Sequence, residues 1–584
     1  MKKSFGHKKK DVNVLGICST GHGAALALVS SHYGIRAMTL DRFTGKKHSM
    51  MFSRVELEDI KGKKGEVNDE IFRALDFGFG KFPPAFIFED IFIPFLKALL
   101  KGLPIMPWDI DLVVGSQSHF AINYGRLGNK LGRYFRKADF YLDIEHHHAH
   151  QCQAFFASPF KEAAVLTADQ SGEFLKRLGG KKIALTLSEA SGNLIRVVHE
   201  HTYPESSPGI IYDIVSQHIG FRAGQEGKTM GLAPYGTDRI YRDLIKYLEL
   251  LDDGSFKFLS KPDFEEKLKG YVKIRKPEED ICRVHADVAF AGQAILEDIM
   301  INAVDALGRL TPNSQDNFCL SGGVALNSVA NEKMFRSSRF KNIYIMPNAN
   351  DDGHALGCAL YGAHVLCNRP VPGGVVNDYL GPVYSDTDIQ EALSKADLKV
   401  ERLENRAKIV AQMLVDGLII GWFQGASEFG PRALGNRSIL ADSRPAHMKN
   451  HLNKQVKHRE PFRPFAPVVL EKKVSDWFDL SMPSRFMLRV APVLTAKRKQ
   501  IAAVTHVDGT ARVQTIVKAD NPRLYHLIQE FDKLTGVPVL LNTSFNVAGK
   551  PIVETPGDAI ACYLSTGIDV LIIDNFIVKK PYVS

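Results

Sequence analysis

VNVLGICSTGHGAALALV, residues 12–29, decides the fold class. Two apolar runs, VNVLGI and AALALV, flank a Ser-Thr-Gly-His-Gly turn, and an apolar run of strand length bounded by turn residues reads as a strand buried on both faces. The small residues of the turn let backbone amides approach a phosphate. Two later stretches repeat the device: AAVLTAD (163–169) ends on a carboxylate, and NFCLSGGVALNSVAN (317–331) passes through two glycines into a helical pattern. Between them, Asp287 to Leu307 sets Val288, Ala291, Ile295, Ile299 and Ala303 at helical spacing. Strands alternating with helices predict an α/β architecture. The Pro- and Gly-rich run RPVPGGVVNDYLGPVY (369–384) follows the helical run HALGCALYGAHVL and marks a boundary, giving domains of 1–380 and 381–584.

Composition narrows the function classes. A chain of 584 residues that is 45% hydrophobic can bury more than one large core. The net charge of +9 is a diffuse surplus of 74 basic over 65 acidic residues, not the clustered footprint of a nucleic-acid binder, so no nucleic-acid partner is expected. The run Lys8 to Lys10, with Lys2 and Lys3, reads as a solvated tail. Seven scattered cysteines without a CxxC pair suggest neither a disulfide framework nor a cysteine zinc site and predict a reducing, cytoplasmic setting. The start lacks a signal-like apolar core, and no window offers the ~18 apolar residues of a spanning helix, so no membrane partner is expected. The most apolar stretch, Phe77 to Trp108, is broken by Lys81, Glu89, Asp90 and Lys97.

Five motifs carry candidate chemistry. In His146-His147-His148-Ala149-His150, helical spacing puts His146 and His150 on one face, where both can ligate one metal; the general-base carboxylate of a zinc-protease HExxH is missing. In TADQSGE (167–173), Asp169 at a strand end can hold a metal near a phosphate, or simply cap a turn. In NANDDGH (348–354), Asp351 could complete a site with the two histidines, a mixed N/O set suited to a divalent first-row metal. Gly322 and Gly323 stand between a strand and a helical pattern, where amides and a helix N-terminus can meet a phosphate. The fifth motif is cationic: GPRALGNRS (430–438) and KHREPFRPF (457–465) interleave arginines with Gly, Pro and Phe, which suggests guanidinium forks fixed against phosphates. THVDGTAR (505–512) and NTSFN (542–546) add Arg512 and small hydroxyl and amide donors.

Taken in order, these motifs resemble the NodU/CmcH carbamoyltransferase family over nearly the whole chain. STGHGAALALV and DRFTGKKHS are similar to that family's GHDAS and ERFxRxKH segments. GQEGKTMGLAPYG (224–236), GPRALGNRSIL, REPFRPFAPVVL, HVDGTARVQT and NTSFNVAGKPIVETP look like its most characteristic strings. One departure stands out: Gly23 occupies the place where the family often has Asp after the GH of its first turn.

The resemblance implies an N-terminal α/β domain of the actin-like ATPase (ASKHA) fold and an α+β YrdC-like C-terminal domain. It implies an ATP-dependent O-carbamoyltransferase that makes carbamoyl adenylate from carbamoyl phosphate and ATP in the C-terminal domain. The N-terminal domain then passes the carbamoyl group to a hydroxyl-bearing small molecule, in secondary-metabolite biosynthesis. Carried over by position, His146, His150, Asp169 and Asp351 would hold iron or a similar metal, with magnesium accompanying ATP. Gly322 and Gly323 would help bind the nucleotide, and His22 and Lys47 would lie at the transfer site. Arg432, Lys457, Arg463, Arg512, Ser544 and Asn546 would bind carbamoyl phosphate and the ATP phosphates. A homodimer is an allowed assembly. Two other readings compete: a tRNA threonylcarbamoyl-type transferase, which lacks support from any basic stripe, and an ATP-gated chaperone-like module, which needs neither the histidine pair nor the cationic domain.

Overall fold

The structure is a computed structural model that describes residues 11–19, 24–47, 88–116, 131–132, 134–314, 316–370 and 374–580. The opening run forms β1 (Asn13–Ser19) and β2 (Ala24–Ser30), paired antiparallel with Val14 opposite Val29 and Ile17 opposite Leu26. The turn between them, with His22 and Gly23, lies outside the described residues. β3 (Gly34–Thr39) extends the meander beyond β2, while β4 (Leu112–Ser116) and β5 (Asp139–Ile144) add parallel strands on the other side of β1, giving the order β3-β2-β1-β4-β5.

The same order then recurs in a second sheet. β6 (Glu162–Ala168), β7 (Lys181–Ser191) and β8 (Leu194–Tyr203) form an antiparallel meander. β9 (Asn317–Ser321) and β10 (Asn342–Ile345) join β6 in parallel, for an order of β8-β7-β6-β9-β10. Apart from the short strand Phe174–Leu175, which also pairs with β7, each sheet is a five-stranded unit with a meander and two parallel strands, so the α/β arrangement is duplicated. The central strands β1, β6 and β9 are covered on both faces and carry apolar residues almost throughout, as parallel sheets clad by helices require.

The helix after the fifth strand of each unit is equivalent by this duplication. In the first unit it is α1 (His146–Phe156), and in the second it is the helix His354–Tyr361. The crossovers of the second unit use α2 (Arg283–Leu310) and α3 (Ser328–Ser337), and His354–Tyr361 is therefore α4. α1 and α4 lie against each other between the two sheets, and glycines set how close they come. A Cβ on Gly357 would sit 2.2 Å from the Ala149 carbonyl oxygen of α1, and one on Gly16 of β1 would sit 1.8 Å from the Ala355 carbonyl oxygen of α4. Only a residue without a side chain allows either contact.

The C-terminal part is a mixed sheet of nine strands. Its longer strands are β11 (Ile420–Phe423), β12 (Arg437–Asp442), β13 (Ala466–Leu470), β14 (Arg489–Pro492), β15 (Thr510–Ile516), β16 (Val539–Ser544), β17 (Val570–Ile573) and β18 (Phe576–Lys579). From the short edge strand Glu401–Arg402 the order runs β18-β17-β11-β12-β16-β13-β15-β14. Its own core gathers Trp422, Phe423, Val468, Leu540, Phe545 and Leu571. Residues 374–384 carry no helix or strand, and they are bonded on both sides: Ala37 N–H donates to Leu380 O, and Gly381 N–H donates to Ser427 O, each at 2.9 Å.

Two further links cross from the first sheets to the last. The buried Arg489 Nε donates to Glu332 Oε2 of α3 at 2.6 Å, and the buried Arg42 donates to Gly430 O at 2.7 Å. Among the described residues no helix is long and apolar enough to cross a membrane.

The glycine contact makes a direct prediction. Gly357→Ala forces α1 and α4 apart and lowers stability by about 1–3 kcal/mol, the usual cost of overpacking, although alanine is the better helix former. Gly227→Ala, whose Cβ would meet nothing within 4 Å in the helix Glu226–Leu232, stays within about 1 kcal/mol of the parent. Denaturant melts of the two variants check this.

Candidate functional site

α1 begins at His146 because Glu173 supplies the cap that Glu145, the residue before the helix, does not. Both Glu173 carboxylate oxygens accept from the His146 backbone N–H, at 2.9 and 3.0 Å, and a negative charge there also favours the helix dipole. Helical spacing then sets the His146 and His150 rings edge to face with centroids 4.9 Å apart. His354, the first residue of α4, lies 4.3 Å from the first ring and 4.0 Å from the second. Asp351 sits in the turn leading into α4, and its Oδ1 is 3.5 Å from His146 Nε2 and 3.6 Å from His150 Nε2. His146, His150, Asp351 and His354 each offer one ligand atom, all within 4.8 Å of one another. Asp169, at the end of β6, closes the group with its Oδ2 3.0 Å from His146 Nε2 and 3.7 Å from His150 Nε2.

This donor set suits a divalent first-row metal. His150 Nε2 is buried and makes no hydrogen bond, while its Nδ1 faces Gln153 Oε1 at 3.4 Å, so the ring aims Nε2 at the centre of the group. The neighbouring histidines face elsewhere: His147 Nδ1 meets Thr186 Oγ1 at 2.7 Å, and His148 Nδ1 meets Gln151 Oε1 at 3.1 Å. All four metal residues expected from the sequence come together. His354 joins them; its signal was its position, three residues after Asp351 at the start of a helical run.

The electrostatics of the group are tight. Burial opposes protonation of His150, but Asp169 and Asp351 outweigh it and bring its pKa up to about 9. Burial would raise the Asp169 carboxyl, and the His146 hydrogen bond with the nearby charge of His150 holds it well below its ordinary value instead. Asp352, adjacent in sequence to Asp351, is driven the other way: burial, Asp41 and Asp351 push its carboxyl well above the usual range. The two adjacent carboxylates therefore do different things.

Gly322 and Gly323 are beside this group. Gly322 has φ of +94°, and a Cβ there would sit 2.1 Å from the Ala168 carbonyl oxygen, so glycine is required. Gly323 N–H donates to Asp169 Oδ1 at 3.2 Å. The helix expected directly after them does not start there. Gly323–Leu326 form a tight 3-10 turn, and α3 starts at Ser328, where the Asn327 side chain accepts from Ala330 N–H at 3.1 Å. Asn327 wins because its side chain caps a helix better than glycine does. Any phosphate at these glycines meets the amides of the turn, not a helix end.

In the C-terminal part the expected cations also converge. Lys457 Nζ is encircled by Ser544 O and Oγ and Asn546 O and Oδ1, at 2.6–3.1 Å, so it acts by holding the NTSFN loop in place. Arg432 Nε and Arg512 Nε are buried without a hydrogen-bond partner. Burial and Arg463 depress the Arg432 guanidinium to about 10. Burial and then Arg432, Arg459 and Arg463 hold Arg512 well below its usual value. Arg459, a member of this group by position that the sequence reading did not single out, falls to about 9 through burial and Arg463. Glu460 stands at the edge, 3.7 Å from Arg463 and 2.7 Å from Lys228.

Lys47 reaches this group from the first sheet's side of the molecule. Burial lowers its pKa first and Arg463 next, against the pull of Asp41. His22, expected beside Lys47, lies outside the described residues.

The raised His150 pKa fixes a pH dependence. A divalent metal must displace that proton, so its apparent affinity for metal-free protein rises about tenfold per pH unit up to about pH 9 and then levels off. In metal-free protein the same shift stabilises the fold below the unfolded value of 6.5, a contribution lost as pH rises through about 9. Metal titrations across this range check the slope, and His150→Ala lowers it, leaving the part due to His146, whose pKa Asp351 and Asp169 raise against burial.

Comparison with known proteins gives a consistent result. Residues 13–360 match the family model for the carbamoyltransferase N-terminus, and residues 411–580 match that for the carbamoyltransferase C-terminus. An uncharacterized protein of Synechocystis sp. is 35% identical over 610 aligned positions, covering 97% of each chain. The nodulation protein NolO of Bradyrhizobium diazoefficiens is 38% identical over 446 positions, 75% of this chain and 79% of that one. NolNO of Sinorhizobium fredii is 38% identical over 445 positions, 75% of this chain and 64% of that one. With both halves matched in order, the chain belongs to the NodU/CmcH family of carbamoyltransferases and is a transferase.

Proposed function

We propose that the protein is an O-carbamoyltransferase that activates carbamoyl phosphate with ATP as carbamoyl adenylate and passes the carbamoyl group to a hydroxyl of a small molecule. The observation that carries this reading is the gathering of Lys47, Arg432, Arg459, Arg463 and Arg512 in one place, with Glu460 at its edge and the buried Nε atoms of Arg432 and Arg512 without a hydrogen-bond partner. Cations that depress one another's proton affinity are stabilised when a polyanion joins them, and guanidinium forks match phosphate oxygens. The family supplies the carbamoyl group; the cations supply a place for phosphates.

In this reading the C-terminal part is YrdC-like and performs the activation. Water adds to the carbonyl of carbamoyl phosphate and inorganic phosphate leaves, which gives carbamate. A carbamate oxygen then bonds to the α-phosphorus of ATP as the bond to pyrophosphate breaks. Arg432, Arg463 and Arg512, with Arg459, neutralise the charge that gathers on the leaving phosphates, and magnesium accompanies ATP. Lys457 keeps Ser544 and Asn546 in position to donate to the same anions.

Transfer belongs to the first two sheets. The acceptor hydroxyl oxygen bonds to the carbonyl carbon of the adenylate, AMP leaves, and His22 takes the hydroxyl proton. The amides near Gly322 and Gly323 hold the nucleotide. His146, His150, Asp169, Asp351 and His354 would hold a divalent metal, with iron as the expected ion, and such an ion would polarise the carbonyl. Lys47, which shares the field of the C-terminal cations, serves at the transfer site. The setting is cytoplasmic secondary-metabolite synthesis.

Pyrophosphate release from ATP, measured with carbamoyl phosphate and no acceptor, separates the two steps. Arg463→Ala slows it about a hundredfold, the equivalent of about 3 kcal/mol of lost charge stabilisation; Arg463 is partly exposed, so the variant folds. His22→Ala leaves pyrophosphate release intact and loses carbamoylated product. Equal loss of pyrophosphate release in both variants contradicts the division of labour.

A further inference from the structure

Away from the α1–α4 group, a second set of metal-ligating side chains converges on the outer strand of the second sheet. His199 and His201 are two residues apart on β8 and project to the same side of the sheet, with ring centroids 4.8 Å apart. Asp253 comes from the turn between the short strands Glu249–Leu250 and Phe256–Lys257. Its Oδ2 is 3.4 Å from His199 Nε2, and its backbone carbonyl is 3.2 Å from His201 Nε2. One ligand atom from each of the three lies within 4.8 Å of the others.

The turn that carries Asp253 is fixed before any ligand arrives. Gly254, with φ of +86°, presses on α2, where an added Cβ would meet the Ala306 side chain at 2.9 Å. Asn302 Nδ2 of α2 donates to Leu251 O at 3.0 Å and to Ser255 O at 3.1 Å, and Arg309 donates to Asp252 O at 2.8 Å. Ser255 then orients the carboxylate: its N–H and hydroxyl both donate to Asp253 Oδ1, at 2.9 and 2.5 Å. That leaves Oδ2 directed at His199, with His201 beside it. An outer-shell donor that fixes one oxygen of a carboxylate while the other faces an imidazole is the arrangement of a ligand carboxylate in a metal site. His201 is buried behind, while the His199 and Asp253 side chains are 41% and 42% exposed, so an ion and a water reach the group from solvent.

The geometry points to a second cation site at His199, His201 and Asp253 that takes zinc, with two imidazoles, one carboxylate and a water completing a tetrahedron. Two nitrogens and one oxygen are the donor set zinc accepts, and three protein ligands with an open fourth position are common for it. Bound there, zinc ties the 249–257 hairpin and the end of α2 to β8. The site shares no residue with the α1–α4 group and does not depend on how carbamoyl transfer proceeds.

The test uses the full-length chain, stripped with a chelator and dialysed, then titrated with zinc sulfate. Bound zinc is measured by elemental analysis and affinity by calorimetry. His199→Gln and Asp253→Asn each bind one equivalent less than the parent. Both side chains are partly exposed, so these variants melt at the parent's temperature in chelator. Ser255→Ala keeps the equivalent but binds it about tenfold to a hundredfold more weakly. A His146→Ala, His150→Ala double variant retains this equivalent, which separates the site from the α1–α4 group. Unchanged zinc stoichiometry in both His199→Gln and Asp253→Asn overturns the assignment.

Discussion

The close approach of α1 and α4 is the constraint on which the site depends. These helices occupy equivalent places after the fifth strand of two similar units, and Gly353 and Gly357 remove the side chains that would hold them apart, as Gly16 does between β1 and α4. With α4 seated, Asp351 and His354 meet His146 and His150 across the seam. Neither unit contains the whole group. The histidine pair belongs to one helix, while Asp169 comes from β6 and Asp351 and His354 from the start of the other helix. A small expansion at Gly357 therefore acts on ligand geometry without touching a ligand.

Electrostatics divides the molecule into two complementary places. At the seam, the ionised carboxylates of Asp169 and Asp351 make the His146 and His150 imidazoles hold protons tightly, with His150 raised to about 9, and a divalent cation is the natural replacement for those protons. In the C-terminal part the opposite holds: burial and crowding press Arg459 down to about 9 and Arg432 to about 10, a strain that an anion relieves. Lys47, on the chain just after β3, belongs electrostatically to this second group although its sequence neighbours belong to the first sheet. The links through Arg42 and Gly430, Ala37 and Leu380, and Arg489 and Glu332 hold these two places in one framework.

Much of this was legible in the sequence where the information is local. The apolar runs around residues 20–23 became β1 and β2, and the i, i+4 histidines share a helical face because helical geometry alone requires it. The duplication was not legible. Strands buried on both faces lose the alternation that reports orientation, so β1 (NVLGICS) and β6 (EAAVLTA) give no hint that they hold equivalent central positions. The cap from Glu173 and the role of His354 depend on contacts between distant segments. The misplaced helix start after Gly323 has a local cause, the stronger cap at Asn327. Lys457 carried the right type of charge for a phosphate, but its four oxygen neighbours make it a strut for the NTSFN loop, which spacing along the chain could not show.

The central claim is that the two units jointly build one metal centre at their seam. Anomalous diffraction at the iron absorption edge, from crystals of protein reconstituted with iron(II), tests it most directly. The account predicts a strong peak bounded by His146, His150, His354 and Asp351, with Asp169 beside it, and loss of that peak in His150→Ala. A parent crystal with iron bound elsewhere and no density between these side chains would contradict it.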